Sequence, residues 1–257
     1  MRSKRIVLGL LGLALFGALF EVLPAAGLVS PEDVPPTHRI LTTLVDQLTQ
    51  QRFQTALVDT LRTWLLGLGI AVLGGVLLGV VIGSIPLLRN LTASTVEFLR
   101  PIPSVALIPL AVVLYGSTIR STLILVIYAS FWQVLVQVLH GVADVDPVAR
   151  DTAAAYRLPV VARIRYLIWP TALPYAVTGI RLATSVALIL AVTGELAIGS
   201  PGLGKEIAVA QASGATAAMY ALVLLTGLVG VAANLITRGT ERRVLAWHPS
   251  VRREVPA

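Results

Sequence analysis

The chain has 257 residues, 56% hydrophobic and 13% charged, with a net charge of +7, a pI of about 10.4 and a mean hydropathy of +0.84. A soluble domain keeps roughly a quarter of its residues charged because its surface faces water, so lipid is the solvent here, and the long continuous apolar runs exclude a β-barrel's short alternating segments. With no cysteine there is no disulfide, thiolate zinc or iron–sulfur site, and His38, His140 and His248 have no partner at ligand spacing.

Six segments are apolar and long enough to span, each needing about 20 residues: 6–23, 61–85, 96–115, 121–139, 175–198 and 216–236. The first follows Arg2, Lys4 and Arg5 and has no clean small-x-small site after it, so a retained anchor is expected rather than a cleaved signal peptide. After Pro35-Pro36, Thr37 can cap a helix with Ile40, Leu41, Leu44, Val45 and Leu48 on one side, an amphipathic helix expected to lie on the outer membrane face.

The second span carries Gly67, Ala71, Gly75, Gly79 and Gly83, a small residue at every fourth position. In lipid such a stripe lets two backbones approach, either inside the bundle or against a second copy. The fourth span places Ser130, Gln133, Gln137 and His140 within about 80° of one helix face. Polar groups in lipid are costly, so this face is expected to look into the bundle or a watery cavity, either gluing helices together by hydrogen bonds or lining the translocation path. Thr184 and Ser185 of the fifth span are further candidates for it. Glu195, near the outer end of that span, is expected to be partly solvated and paired with Lys205 or an arginine.

Between the fourth and fifth spans, residues 140–174 are too patterned for a mere connector. Asp146-Pro147 is a helix start, and Val148–Leu158 should form a short helix that Pro159 ends and a second helix follows. Pro170 and Pro174 are expected to bend the chain back into the membrane. The alanines, rimmed by Arg150, Asp151 and Arg157, offer a close-approach surface for another protein. Gly199-Ser200-Pro201-Gly202-Leu203-Gly204-Lys205 matches the start of a phosphate-binding loop, but Glu206 follows where a magnesium-binding hydroxyl is needed, and a membrane helix precedes it instead of a strand. A turn that meets an external partner is the better account.

Basic residues set the orientation. With the N-terminus inside, the cytoplasmic pieces hold fourteen: Arg2, Lys4, Arg5, Arg89, Arg100, Arg150, Arg157, Arg163, Arg165, Arg238, Arg242, Arg243, Arg252 and Arg253. The outer pieces hold five (Arg39, Arg52, Arg62, Arg120 and Lys205), so both termini are expected in the cytoplasm. The same scatter argues against nucleic-acid binding, which needs a basic face.

Several stretches resemble binding-protein-dependent ABC transporter permeases. The family loop has Glu-Ala-Ala, a Gly four residues after the last Ala, and Ile-x-Pro ten beyond it. Here Ala153 and Ala154 match the alanines and Ile168-Trp169-Pro170 the end, while Thr152 stands for Glu and Leu158 for Gly. Leu99-Arg100-Pro101-Ile102-Pro103, Ile108-Pro109-Leu110, Tyr115-Gly116, Thr178-Gly179-Ile180-Arg181 and Gly194-Glu195-Leu196 through Gly202-Leu203-Gly204 are similar to the nitrate/sulfonate/taurine subfamily.

The resemblance implies an all-α, type I importer permease with about six transmembrane helices in the inner (cytoplasmic) membrane. It also implies a homodimer of permeases, two cytoplasmic ATP-binding subunits and an extracytoplasmic solute-binding protein. No cofactor is expected in this chain, with ATP and magnesium in the partner ATPase. ATPase coupling is expected at Arg150, Asp151, Thr152, Ala153, Ala154, Tyr156, Arg157 and Leu158, the path at Ser130, Gln133, Gln137, Thr184 and Ser185, and binding-protein contact at Gly199, Pro201, Gly202 and Lys205. The expected division is an N-terminal anchor and amphipathic helix (1–54), a permease core (55–240) with its coupling loop at about 141–170, and a basic tail (241–257). The implied substrate is a sulfonate, taurine or nitrate-like anion, or a vitamin precursor or aromatic acid. The rival is an ion-gradient-driven carrier, which usually shows two related halves and midplane carboxylates; neither stands out here. A membrane-bound enzyme would need a catalytic constellation that scattered histidines and a lone glutamate do not supply.

Overall fold

The structure is a computed structural model that describes residues 2–247, and residues 2–6 and 10 without their side chains. Arg252, Arg253 and His248 of the basic tail lie outside the described residues, as do the side chains of Arg2, Lys4 and Arg5. Every described element is helical: α1 (Arg2–Ala25), α2 (Thr37–Leu48), α3 (Gln51–Ser84), α4 (Pro86–Leu99), α5 (Ile108–Tyr115), α6 (Ile119–Ala143), α7 (Pro147–Ala155), α8 (Val160–Arg163), α9 (Trp169–Ile198), α10 (Leu203–Ala212) and α11 (Thr216–Val244). Five helical stretches are long and apolar enough to cross a membrane, and a sixth crossing exists if the bent pair formed by α4 and residues 104–115 counts as one.

The centre of the bundle is α6, packed between α3 and α9. Close packing between α3 and α6 follows directly from the small-residue stripe. A methyl carbon added to Gly75 would lie 2.8 Å from Val134 Cβ, one on Gly79 2.7 Å from Val138 Cγ1, and one on Gly83 2.9 Å from Val142 Cβ. The glycines thus receive a ladder of valines on α6, and the two backbones meet at a distance only a missing Cβ allows. Of the two roles left open for the stripe, it packs inside the bundle.

Ser130 completes the row formed by Val126, Val134, Val138 and Val142 at every fourth position, and it is fully buried. Its hydroxyl has no hydrogen-bond partner among the described residues. Ser130 therefore looks into the bundle, where the valine row turns it towards α3, and this corrects its expected place in the translocation path.

The third span is not the single helix expected over 96–115. It breaks into α4 and a second piece, a 3₁₀ turn (Ser104–Leu107) leading into α5, bent by 83°. Pro101 and Pro103 are the cause, since each lacks an N–H and pushes the preceding residue away from helical geometry. At the break the Leu99 carbonyl accepts the Ile102 N–H at 3.2 Å and the Tyr128 hydroxyl at 2.6 Å.

Two further corrections concern the ends of the bundle. Thr37 does not cap α2; its hydroxyl donates to the Gly17 carbonyl of α1 at 2.6 Å. Ile40 and Leu44 are buried in a cluster with Leu222 and Leu225 of α11, so α2 packs on protein, while Leu41 and Val45 stay exposed. At the other end, the chain does not turn back at Pro170 and Pro174. Helix α8 passes through a π-turn (Ile164–Ile168) into α9 without interruption, with the Trp169 N–H reaching the Ile164 carbonyl. Pro170 begins α9 just past the widened turn, a common position for a helix irregularity.

Candidate functional site

The loop after α6 folds into an elbow whose parts are set by short-range chemistry. Asp146 Oδ1 accepts the Val148 N–H at 2.8 Å, and Pro147, which has no N–H to leave unpaired, opens α7. Arg150 Nη2 donates to the Val142 carbonyl at 3.2 Å, closing the exposed end of α6. The Tyr175 hydroxyl donates to Asp144 Oδ2 at 2.8 Å, tying the start of the elbow to α9. Val145 and Ala153 are buried beneath it. The elbow is thus anchored to both central helices while Val148 and Tyr156 stand 72% and 80% exposed on its outer side.

Helix α7 ends in a paired reverse turn: Leu158 N–H bonds the Ala153 carbonyl at 3.0 Å and Arg157 N–H the Ala154 carbonyl at 2.9 Å. This geometry requires a left-handed residue, usually glycine, and here Arg157 takes it with φ +52°. The position at which glycine would act is therefore 157, not 158. Arg157→Gly should raise stability by about 1 kcal/mol, because a side chain in that region is crowded against its own backbone. Thermal unfolding in detergent measures this, and an unchanged or lower midpoint would count against the turn.

Of the other elbow residues, Asp151, Thr152 and Ala154 are exposed and Leu158 is 40% exposed. The Thr152 hydroxyl returns to the Val148 carbonyl at 2.7 Å. All eight expected coupling residues thus share one elbow, with Arg150 and Ala153 serving its inner side.

The far end of the bundle holds a polar node that the sequence alone did not indicate. Glu195 is completely buried, and its Oε2 accepts the Thr60 hydroxyl at 2.8 Å and the Gly204 N–H at 3.0 Å. Thr60 in turn accepts the Leu203 N–H at 2.8 Å. Beside it, the Thr122 and Ser200 hydroxyls meet at 2.6 Å. This corrects the expected pairing of Glu195 with Lys205 or an arginine: the turn 199–202 folds back over the carboxyl and supplies its own amide, while Lys205 points outward. Arg52 pairs with Glu206 instead, at 2.7 Å.

Gly202, with φ +147°, lies directly on the carboxyl, where a Cβ would overlap Glu195. A phosphate is excluded from this turn because two of its amides are already bonded to Thr60 and Glu195. Of the four residues expected to meet an external protein, Lys205 is exposed, Gly199 and Pro201 are half-buried and Gly202 is buried. Thr60 and Glu195 are 135 residues apart, so no local pattern announces the pair; the polar run Asp59-Thr60 at the edge of an apolar segment was the available signal.

The remaining path candidates open onto different clefts. Gln133 lines one between α4 and α6 with Arg89, Arg100 and His140. Gln137 lines another with Asp144, Pro174 and Tyr175. Thr184 and Ser185 line a third, between α9 and α11.

The bundle is that of a polytopic helical membrane protein, with an anchored elbow exposed at one end and a turn locked over a buried carboxyl at the other. The binding-protein-dependent transport system inner membrane component family matches residues 71–246, and the chain belongs to that family. It is 28% identical to the taurine transport system permease protein TauC of Escherichia coli K12, over 97% of this chain and 92% of that one. It is 26% identical to the putative aliphatic sulfonates transport permease protein SsuC of Bacillus subtilis 168 (94% and 88%), and 22% identical to the nitrate import permease protein NrtB of Leptolyngbya laminosa (77% and 71%). A crystal structure of an amino acid ABC transporter with histidines shares the fold, with a TM-score of 0.61 and 19% identity over 75% of this chain and 94% of that one. The chain is thus an ABC importer permease of the nitrate/sulfonate/taurine subfamily, not a gradient-driven carrier.

Proposed function

We propose that two copies of this chain form the membrane path for a small oxyanion, a sulfonate, taurine or nitrate, and that two ATP-binding subunits grip the α7 elbows. The elbow carries this reading: its exposed short helix is hydrogen-bonded to α6 through Arg150, and its start at Asp144 is hydrogen-bonded to α9, so the elbow can pass a partner's movement to both central helices as a rigid body. The names of the relatives TauC, SsuC and NrtB support the substrate class. The bias of basic residues supports a cytoplasmic elbow and cytoplasmic termini. The opposite end, with Gly199, Pro201 and Lys205 held over the Glu195 node, then faces a solute-binding protein. Gly202 supports that turn from beneath.

Gln133, Gln137, Thr184 and Ser185 remain the path candidates. The division into residues 1–54, 55–240 and 241–257 is retained as part of the proposal. ATP and magnesium belong to the partner subunit; this chain takes no cofactor and catalyses no reaction of its own. Vitamin precursors and aromatic acids are the alternative cargo.

The test is purification of the complex from native membranes and reconstitution with its solute receptor. ATP-dependent uptake of taurine, methanesulfonate or nitrate, with an ATPase present in equal amount, is the expected result. Uptake without ATP or without a copurifying ATPase would overturn the coupling, and uptake of none of the three would overturn the substrate class.

A further inference from the structure

The groove between α9 and α11 is a polar stretch of a surface that would otherwise face lipid. It encloses about 720 Å³ and is lined by Arg181, Ser185, Thr193, Asn234 and Arg238 among apolar residues. Ser185, Thr193, Asn234 and Arg238 make no side-chain hydrogen bond or ion pair among the described residues. Arg181 reaches Glu241 only at 3.5 Å, longer than a well-formed charge-assisted bond, which leaves most of its donors unused. Ser185, Thr193 and Asn234 lie within the spans, where polar groups that face hydrocarbon without a partner are costly, so a groove holding them is hydrated or occupied.

The groove also has a sign. Both guanidinium groups lie towards the α7 end: Arg181 is in the first half of α9, and Arg238 is in the last third of α11. The one carboxylate adjoining these groups among the described residues is Glu241, at 3.5 Å from Arg181, and Arg238 has none. Above the guanidinium groups stand a hydroxyl on α9 and an amide on α11, donors suited to the oxygens of a small anion.

We infer that the α9–α11 groove is an oxyanion subsite, with Arg181 and Arg238 as the charge and Ser185 and Asn234 as neutral donors. This rests on, and deepens, the reading of the chain as a path for oxyanions. A transported sulfonate or nitrate and the head group of an anionic lipid present the same chemistry to these residues.

The chain has no cysteine, so Asn234→Cys or Ser185→Cys places a single thiol in the groove of the complete transporter in inside-out vesicles. Two reagents of opposite charge report the field: 2-sulfonatoethyl methanethiosulfonate and its trimethylammonium counterpart, each normalised to its rate with 2-mercaptoethanol. The expected result is a preference of about tenfold for the sulfonate, the order by which a charged cleft concentrates counter-ions. Adding Arg238→Gln should reduce it to within about twofold, and Arg238→Lys should restore it. Equal normalised rates, or no reaction at either position, would overturn the subsite.

Slowing of the reaction by methanesulfonate or nitrate in zwitterionic vesicles identifies the occupant as a free anion. Slowing only when phosphatidylglycerol is included identifies a lipid head group, and slowing by neither overturns the subsite. Uptake assays on the wild-type complex separate the two levels. A lasting charge preference without uptake of any of the three anions removes the substrate reading alone, and uptake without the preference removes the subsite alone.

Discussion

Gly202→Ala is expected to cost about 3–4 kcal/mol. Two costs add. The backbone at φ +147° is one that a side chain rarely adopts, and the new Cβ would fall within the Glu195 carboxyl. The carboxyl has little room to yield, since its Oε2 is held by Thr60 and Gly204. The turn would have to lift, leaving the Gly204 amide and the Glu195 oxygen buried without partners, and each lost partner costs about 1–3 kcal/mol.

Gly199→Ala is the control. Gly199 is also left-handed, at φ +76°, but has open space where a Cβ would stand, so its substitution should cost only about 1 kcal/mol. Thermal unfolding of the purified chain compares the two. Equal losses would mean that the contact with Glu195 is not what makes Gly202 necessary. Glu195→Leu, which fills the space but removes the acceptor, should resemble Gly202→Ala in midpoint.

The parts of the molecule legible in the sequence are those fixed over a few residues. Asp146-Pro147 announced the start of α7, and the fourfold repeat of small residues announced a close helix contact. That the partner would be the valine row of α6 was not announced, because the same repeat suits a second copy equally well. Composition identified the third span but misjudged its shape: residues 96–115 are mostly apolar, and apolarity says nothing about the cost of Pro101 and Pro103 to a continuous helix.

Ser130 and Glu195 were misplaced for a shared reason. A helical wheel shows which residues lie on one face, not which neighbour covers it. In lipid, a polar residue can be satisfied by an amide far along the chain as readily as by water. The Glu195 node joins α3, α9 and the start of α10, three elements whose meeting is a property of the whole bundle. The resemblance supplied the elbow's role, while the structure alone placed its left-handed residue at Arg157.

Ala154→Arg should abolish ATP-driven uptake, lowering it at least tenfold, while leaving the bundle folded. Ala154 is exposed on α7, close to Tyr156, with no contact to the core to lose. A surface of alanines permits a partner to approach to the backbone, and a long cation there keeps the partner away by volume and by charge. Losing the central contact of an interface costs about 2–4 kcal/mol, which is a thirtyfold to thousandfold loss of affinity.

The neighbouring Ala153→Arg discriminates assembly from folding. Ala153 is 5% exposed, beneath the elbow, and a guanidinium there would be buried without a partner, so this variant should destabilise the permease itself. The expected pattern is a wild-type unfolding midpoint with no copurifying ATPase for Ala154→Arg, and a lowered midpoint for Ala153→Arg. Wild-type recovery of the ATPase with Ala154→Arg would mean that the partner grips another face of the elbow, and the exposed Val160 and Val161 at the start of α8 would be the next surface to alter.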